Sequence, residues 1–236
     1  FLAAPNEQAA AARALKAKVD DPARTMLGFE QEAWLAEGLK TSAEAGRPWQ
    51  VLVNQVTMAK VKMPDLQKGL SAEQYATISP GSRRFWSSAS LGFEWNLDAW
   101  SGFPAARERL YAAARAAGAR LVTLTGDTHT AWANELHDKD RYLVGLEFGC
   151  TSVTSNGAGD SIPFKELNWL MTEANDEVVH YNAFDKGYTL VSLRPDAVEA
   201  TYITVSTVRS RDYFAGVDAT FTARVTPEGV TRLTRG

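Results

Sequence analysis

"LVTLTGDTHTAWANEL" (residues 121–136) opens with an apolar, β-branched run and breaks at Gly126, the composition of a buried strand that ends in a turn. Asp127 and His129 stand two apart in that turn. A carboxylate offers hard oxygen and an imidazole offers nitrogen, a mixed set that suits iron, zinc or manganese beside a second hard cation. The carboxyl end of a strand is also where α/β proteins hold ligands. The alternative is a plain turn in which Asp127 accepts backbone bonds and His129 packs in the wall. With 3 histidines in the whole chain, a metal centre needs ligands from beyond this stretch.

The flanking sequence sets the fold class. "PAARERLYAAARAAG" (104–118) reads as a helix opened by a proline in its first turn and capped by Gly118. "WQVLVNQV" (49–56) reads as another short buried strand. A helix over 29–45 precedes it, with Phe29, Ala33, Trp34, Leu35 and Leu39 as its apolar stripe, and Gly46 and Pro48 stop it. Residues 6–19 form an alanine-rich surface helix. Helix, strand, irregular stretch, helix and strand over 34–126 argue for α/β layering with function in the loops at the strands' carboxyl ends. From residue 130 the chain turns β-rich, with strands over 130–136, 143–148, 187–194 and 199–208 and a closing hairpin around Thr226–Pro227–Glu228–Gly229.

Composition narrows the function. The 236 residues suffice for a sizeable core. A formal net charge of -3 gives no footprint for nucleic acid, and no apolar run approaches a membrane span. Cys150 is the single cysteine, so no internal disulfide forms. Phe1 in place of methionine reads as a cut end.

The irregular stretch over 57–103 holds the other candidates. Arg83 and Arg84 lie in "RRFWSS", and guanidinium groups bind phosphate bidentately. Lys60 and Lys62 follow the 49–56 strand at its carboxyl end. Asn54 and Gln55 either orient a ligand or satisfy the loop's own backbone. "FEWNLDAWSGFP" (93–104) is either a self-packed lid or a glycan-stacking surface. His137 reads as solvated, His180 as a satisfied half-buried strand residue, and Cys150 as a small apolar one. No G-x-S-x-G, Walker A or G-x-G-x-x-G pattern occurs.

Six stretches, in order, resemble the second half of PhoD-type alkaline phosphatases: "RTMLGFEQEAWL", "WQVLVNQV", "WNLDAWSGFPAARERL", "LTGDTHTAWANEL", "EFGCTSVTSNG" and "DKGYTLVSLRPDAVEATY". The resemblance covers about residues 24–208. It implies an α/β fold, part of a four-layer α/β/β/α metallophosphatase sandwich, and hydrolysis of phosphate esters. It further implies a binuclear centre of iron and calcium, with zinc or manganese as alternatives, in which Asp127 serves the calcium side and His129 the iron side. Two adjacent cations neutralise phosphate charge and generate a hydroxide-like nucleophile. A periplasmic or extracellular location is implied in the same way.

The chain departs from the family in two places. The family's first half, which carries the remaining ligands, is absent before residue 24, and Ser101 stands where the family has an aspartate. Asp127 and His129 cannot hold two hard cations, each of which takes about six ligands. A second polypeptide carrying the N-terminal half is therefore expected as a partner. Two rivals remain: a phospholipase D-like or phosphotriester hydrolase, and a non-catalytic aromatic-rich binding module.

Overall fold

The computed structural model describes residues 5–87 and 94–236, of which residues 5–9 are described by backbone alone. Phe93, the first residue of the aromatic stretch, lies outside the described residues.

A mixed sheet of five strands forms the centre, in the order β1-β2-β4-β3-β5. Its strands are β1 (Gln50–Val53), β2 (Leu121–Thr125), β3 (Ala131–His137), β4 (Leu143–Gly149) and β5 (Val178–Asn182). β1, β2 and β4 run parallel, while β3 is antiparallel to both β4 and β5. The carboxyl ends of β1, β2, β4 and β5 therefore share one edge of the sheet, together with the start of β3.

Helices cover one face. α2 (Phe29–Glu44) packs on α6 (Pro104–Ala116), and α8 (Glu166–Glu173) packs on β5. α6 starts on Pro104 and ends at Gly118, whose φ of 62° releases the chain in the left-handed conformation that glycine adopts without strain. Leu39, Met58, Trp100, Tyr111, Leu121 and Trp132 form the core on this side. α1 (Pro5–Val19) is exposed along the residues whose side chains are described, with only Val19 buried.

A second, antiparallel sheet covers the other face. It runs β10-β8-β7-β6, with the short β9 (Gly229–Val230) beside β8. β6 (Lys186–Arg194), β7 (Ala197–Val205), β8 (Ala215–Thr226) and β10 (Thr234–Arg235) supply it. Val122, Ala133, Leu146 and Phe148 of the first sheet meet Val198, Ala200, Tyr202 and Phe221 of the second. Successive residues Leu121 and Val122 thus serve opposite cores, which is why β2 lacks a strict apolar–polar alternation. The Tyr202 hydroxyl donates to the Trp132 carbonyl, and buried Glu135 accepts from Arg232 Nε at 2.7 Å and Leu233 N at 2.8 Å. The described residues thus form helix, sheet and sheet layers of an α/β protein that is β-rich toward its C-terminus. Tyr188, Leu190 and Val217 stand exposed on the outer face of the second sheet.

The structure corrects several local expectations. β1 is four residues long and forms an edge, with Val53 81% exposed. On α2 the buried side is Leu39 with Leu35 beside it, while Trp34 is 76% exposed and Phe29 lies under the Arg109 guanidinium. The stretch read as irregular contains α3 (Leu66–Gly69), α4 (Ala72–Thr77), α5 (Pro80–Trp86) and a 3-10 turn over Trp100–Gly102. The serine caps Ser71 and Ser79 start α4 and α5, and helices this short carry almost no amphipathic period to read. α7 (Ala158–Ser161), α8 and β5 were likewise not separated by sequence pattern.

Buried Glu147 fixes the path of the chain after β1. Its carboxylate accepts from Met58 N at 2.6 Å, Ala59 N at 3.0 Å and Asn134 Nδ2 at 2.7 Å. Burial raises its pKa, and those hydrogen bonds oppose the rise. Further along, Glu177 accepts from Lys60 N at 2.8 Å, and Asn175 pairs with both backbone groups of Lys62. The segment therefore crosses the helix-side face of the sheet, away from the shared carboxyl edge.

Candidate functional site

β2 ends at Thr125, and Gly126–Asp127–Thr128–His129 turns the chain back into β3. The two candidate ligands both hold left-handed backbone, Asp127 at φ 68° and His129 at φ 60°. That conformation is uncommon for any residue other than glycine and costs energy the surroundings must supply. Gly126 N donates to Gln55 O at 3.2 Å, and Cys150 N donates to Thr125 O at 2.9 Å, which ties the turn to the ends of β1 and β4. The His129 carbonyl accepts from Thr151 Oγ1 at 3.2 Å and from Lys186 Nζ at 3.5 Å. Thr151 Oγ1 also reaches Asp185 O at 3.0 Å, so the loops after β2, β4 and β5 are joined at one point.

The His129 ring is oriented by a single contact. Nδ1 lies 2.6 Å from the carbonyl oxygen of Asn156. A carbonyl only accepts, so Nδ1 carries the proton and the Nε2 lone pair is left open. Metal-bound histidines show this arrangement, with one ring nitrogen held by a carbonyl and the other free to ligate. Gly157 makes it possible: a Cβ there would sit 2.7 Å from the His129 carbonyl oxygen. Asp127 is exposed. Among the described residues no group of three or more His, Cys, Asp or Glu side chains is placed to hold a metal. Asp127 and His129 are side chains of a type that could each contribute one ligand, and by themselves they do not make a metal site.

A cavity of about 420 Å³ adjoins the turn, lined by Phe85, Trp86, Trp95, Thr128, Asn156 and Gly157 among others. Trp132 Nε1 donates to Thr128 Oγ1 at 2.9 Å, and the Trp132 ring stacks between Trp95 and Tyr181 at 5.4 and 4.3 Å. Sequence reasoning overlooked Asn156, Gly157, Thr151 and Lys186. The first three belong to the quoted "EFGCTSVTSNG" region and its loop, but nothing in that string marks which carbonyl or hydroxyl meets the histidine.

The remaining candidates are spread over the molecule. Arg83 and Arg84 sit on α5, whose Phe85 and Trp86 line the cavity; the Arg83 guanidinium lies 5.8 Å over the Tyr75 ring, and Arg84 is exposed. Lys60 and Lys62 are not at a carboxyl end. They line a different cavity beside His137 and Glu177, where Lys60 Nζ lies 3.5 Å from Glu108. His137 is half-buried at the end of β3 and lines that cavity, and its burial lowers its pKa. His180 is half-buried and satisfied, with Nε2 3.1 Å from Asp218 Oδ2. Asn54 serves the loop's backbone, its side chain donating to Val56 O. In the aromatic stretch Trp100 is a core residue and the Ser101 hydroxyl donates to Ala59 O at 3.3 Å.

Comparison with known proteins bears on the family and the fold. The family model described as "PhoD-like phosphatase" matches residues 4–202. Alkaline phosphatase D of Bacillus subtilis (strain 168) is 30% identical over 187 residues, which cover 77% of this chain and 27% of that protein. A solved structure titled "Structure of PhoD" superposes with a TM-score of 0.66 at 28% identity, covering 91% of this chain and 36% of the other. The fold is thus of the metallophosphatase type, and the chain spans about a third of the length of the relatives it matches. Family match, order of elements and fold all point one way: this chain belongs to the PhoD-like phosphatase family.

Proposed function

We propose that this chain supplies the Gly-Asp-x-His turn and the surrounding loops of a metal-dependent phosphate-ester hydrolase, a phosphatase or phosphodiesterase. The observation that carries the reading is the His129–Asn156 hydrogen bond, which turns Nε2 away from that carbonyl, in the same turn that presents an exposed Asp127. Asp127 and His129 would each hold one arm of a binuclear centre, for which the resemblance names iron and calcium. Such a centre, when bound, supplies charge neutralisation for the phosphate and an activated water. The chain's own part is to hold the two side chains in left-handed backbone, fix the His129 tautomer and shape the wall for the ester. Arg83 and Arg84, on the helix whose Phe85 and Trp86 line the cavity, are the candidate contacts for the charged end of a substrate.

Two ligands do not complete two hard cations. We therefore propose that a polypeptide carrying the missing ligands completes the site, in a periplasmic or extracellular setting. Among the described residues no helix is long and apolar enough to cross a membrane. The test is Asp127→Ala and His129→Ala in the complete assembly, assayed on mono- and diester p-nitrophenyl phosphates. Each substitution should lower kcat/KM by more than about 100-fold, since even outer-shell changes cost 10- to 100-fold. Turnover within a few-fold of the parent protein would sink the assignment.

A further inference from the structure

The cavity beside the metal turn has properties that the phosphate chemistry does not use. Among the described residues none that lines it is charged, although it adjoins the turn read above as the phosphate site. Three of them are aromatic, and each is held differently. Trp95 is pinned by its amide, which donates to Val61 O at 2.7 Å, and by stacking on Trp132. Trp86 is 4% exposed and packs in the core. Phe85 meets Trp86 edge-on at 6.2 Å and is 54% exposed, so its ring faces the opening. Gly157, Ala158 and Thr128 are among the other lining residues, all of them small or neutral. Thr128 adjoins His129, and Asn156 is the residue whose carbonyl orients the His129 ring.

We propose that this cavity is the binding site for the organic group of the ester, and that it selects a planar aromatic ring attached through oxygen to the phosphorus. The inference rests on the hydrolase reading for the position of the phosphorus. Flat rings gain from offset or edge-on contact with Trp and Phe, whereas a short alkyl group touches few of these atoms. An uncharged wall of this kind desolvates a neutral ring at little cost and would reject a second charged group. Volume agrees, since about 420 Å³ lies within the range of small-molecule pockets.

The test is equilibrium binding to the complete assembly, read by isothermal titration calorimetry. Phenylphosphonate and methylphosphonate are the probes. Both are non-hydrolysable and carry the same charge, so a difference between them reports the ring. Phenylphosphonate should half-saturate at a concentration about tenfold lower, the scale expected when a ring leaves water. Phe85→Ala, at an exposed position, should narrow the gap, and Ser161→Trp, which fills the cavity from an exposed residue, should abolish it. Equal curves for the two probes, no response to either, or a preference that survives both substitutions would overturn the pocket. That failure leaves the hydrolase standing, because binding is read without turnover. Conversely, ring preference in a protein whose turnover survives Asp127→Ala would retire the hydrolase assignment and keep the pocket.

Discussion

The Nδ1 atom of His129 donates to the carbonyl of Asn156 across 2.6 Å, linking the loop after β2 to the loop after β4. This bond is a backbone acceptor's hold on a side chain, so it survives replacement of the Asn156 side chain and depends on how closely the two loops approach.

The approach is set by Gly157. Any Cβ at this position meets the His129 carbonyl at 2.7 Å, and the contact is with backbone that cannot swing away. Gly157→Ala should displace the histidine and reduce metal uptake and turnover at least about tenfold, on the scale of outer-shell changes. The fold should remain, because the residue lies outside both cores. Metal content by mass spectrometry and a circular dichroism melt check the two halves; unchanged metal content rejects the idea.

Backbone strain at Asp127 makes a second prediction. With φ at 68° the residue occupies a region in which glycine is at ease. Asp127→Gly should abolish turnover while leaving stability unchanged or raising it by up to about 1 kcal/mol. Denaturant unfolding measures this. A loss of more than about 1 kcal/mol would mean that the aspartate is a structural cap and not a ligand held under strain.

A third prediction concerns pH. Burial pushes the Glu177 carboxyl up to about 7, with Lys60 N, the Arg107 and Lys60 charges and His137 N opposing the rise. The folded state thus holds a proton that the unfolded chain releases near 4.5. The unfolded state binds fewer protons in that window, so this group's contribution falls as pH rises from about 4.5 to 7, by about 3 kcal/mol at most. Glu177→Gln should flatten that part of the stability profile relative to the parent. Parallel profiles for the two proteins would show that Glu177 titrates normally.

One of the bonds that join the two sheets is directly testable. Tyr202, fully buried, donates its hydroxyl to the Trp132 carbonyl. Tyr202→Phe keeps the ring packed on Phe221 and removes only the hydroxyl, so it should cost about 1 kcal/mol in denaturant unfolding. Because Trp132 also bonds Thr128 of the Gly126–His129 turn, a fall in activity out of proportion to the stability change would place this contact in the support of the proposed site.

Much of the fold is legible in single elements. Pro104 and Gly118 bracket α6 because each solves a local problem of helix ends, and β2 carries apolar residues at successive positions because both of its faces are buried. The edge position of β1 is not legible, since its sequence resembles that of β2 and differs only in what lies alongside. α5 is short enough that capping, not periodicity, defines it. At the site, Asp127 and His129 are readable because strand, glycine turn and two ligand-type residues adjoin in sequence. Lys60 and Lys62 mislead because they follow a strand end, yet Glu147 and Glu177, 87 and 117 residues after Lys60, draw that segment across the sheet.

What the sequence by itself determined is therefore local chemistry: which stretches form strands and helices, and which turn carries ligand-type side chains. What only the tertiary structure decided is the company those side chains keep. The Asn156 carbonyl, the Thr151 hydroxyl and Trp95 reach the turn from loops far along the chain, and their contacts depend on parallel pairing of β1, β2 and β4. Hydrogen bonds and stacking act over a few ångströms in space, so their partners are set by the register of the sheet and not by distance along the sequence.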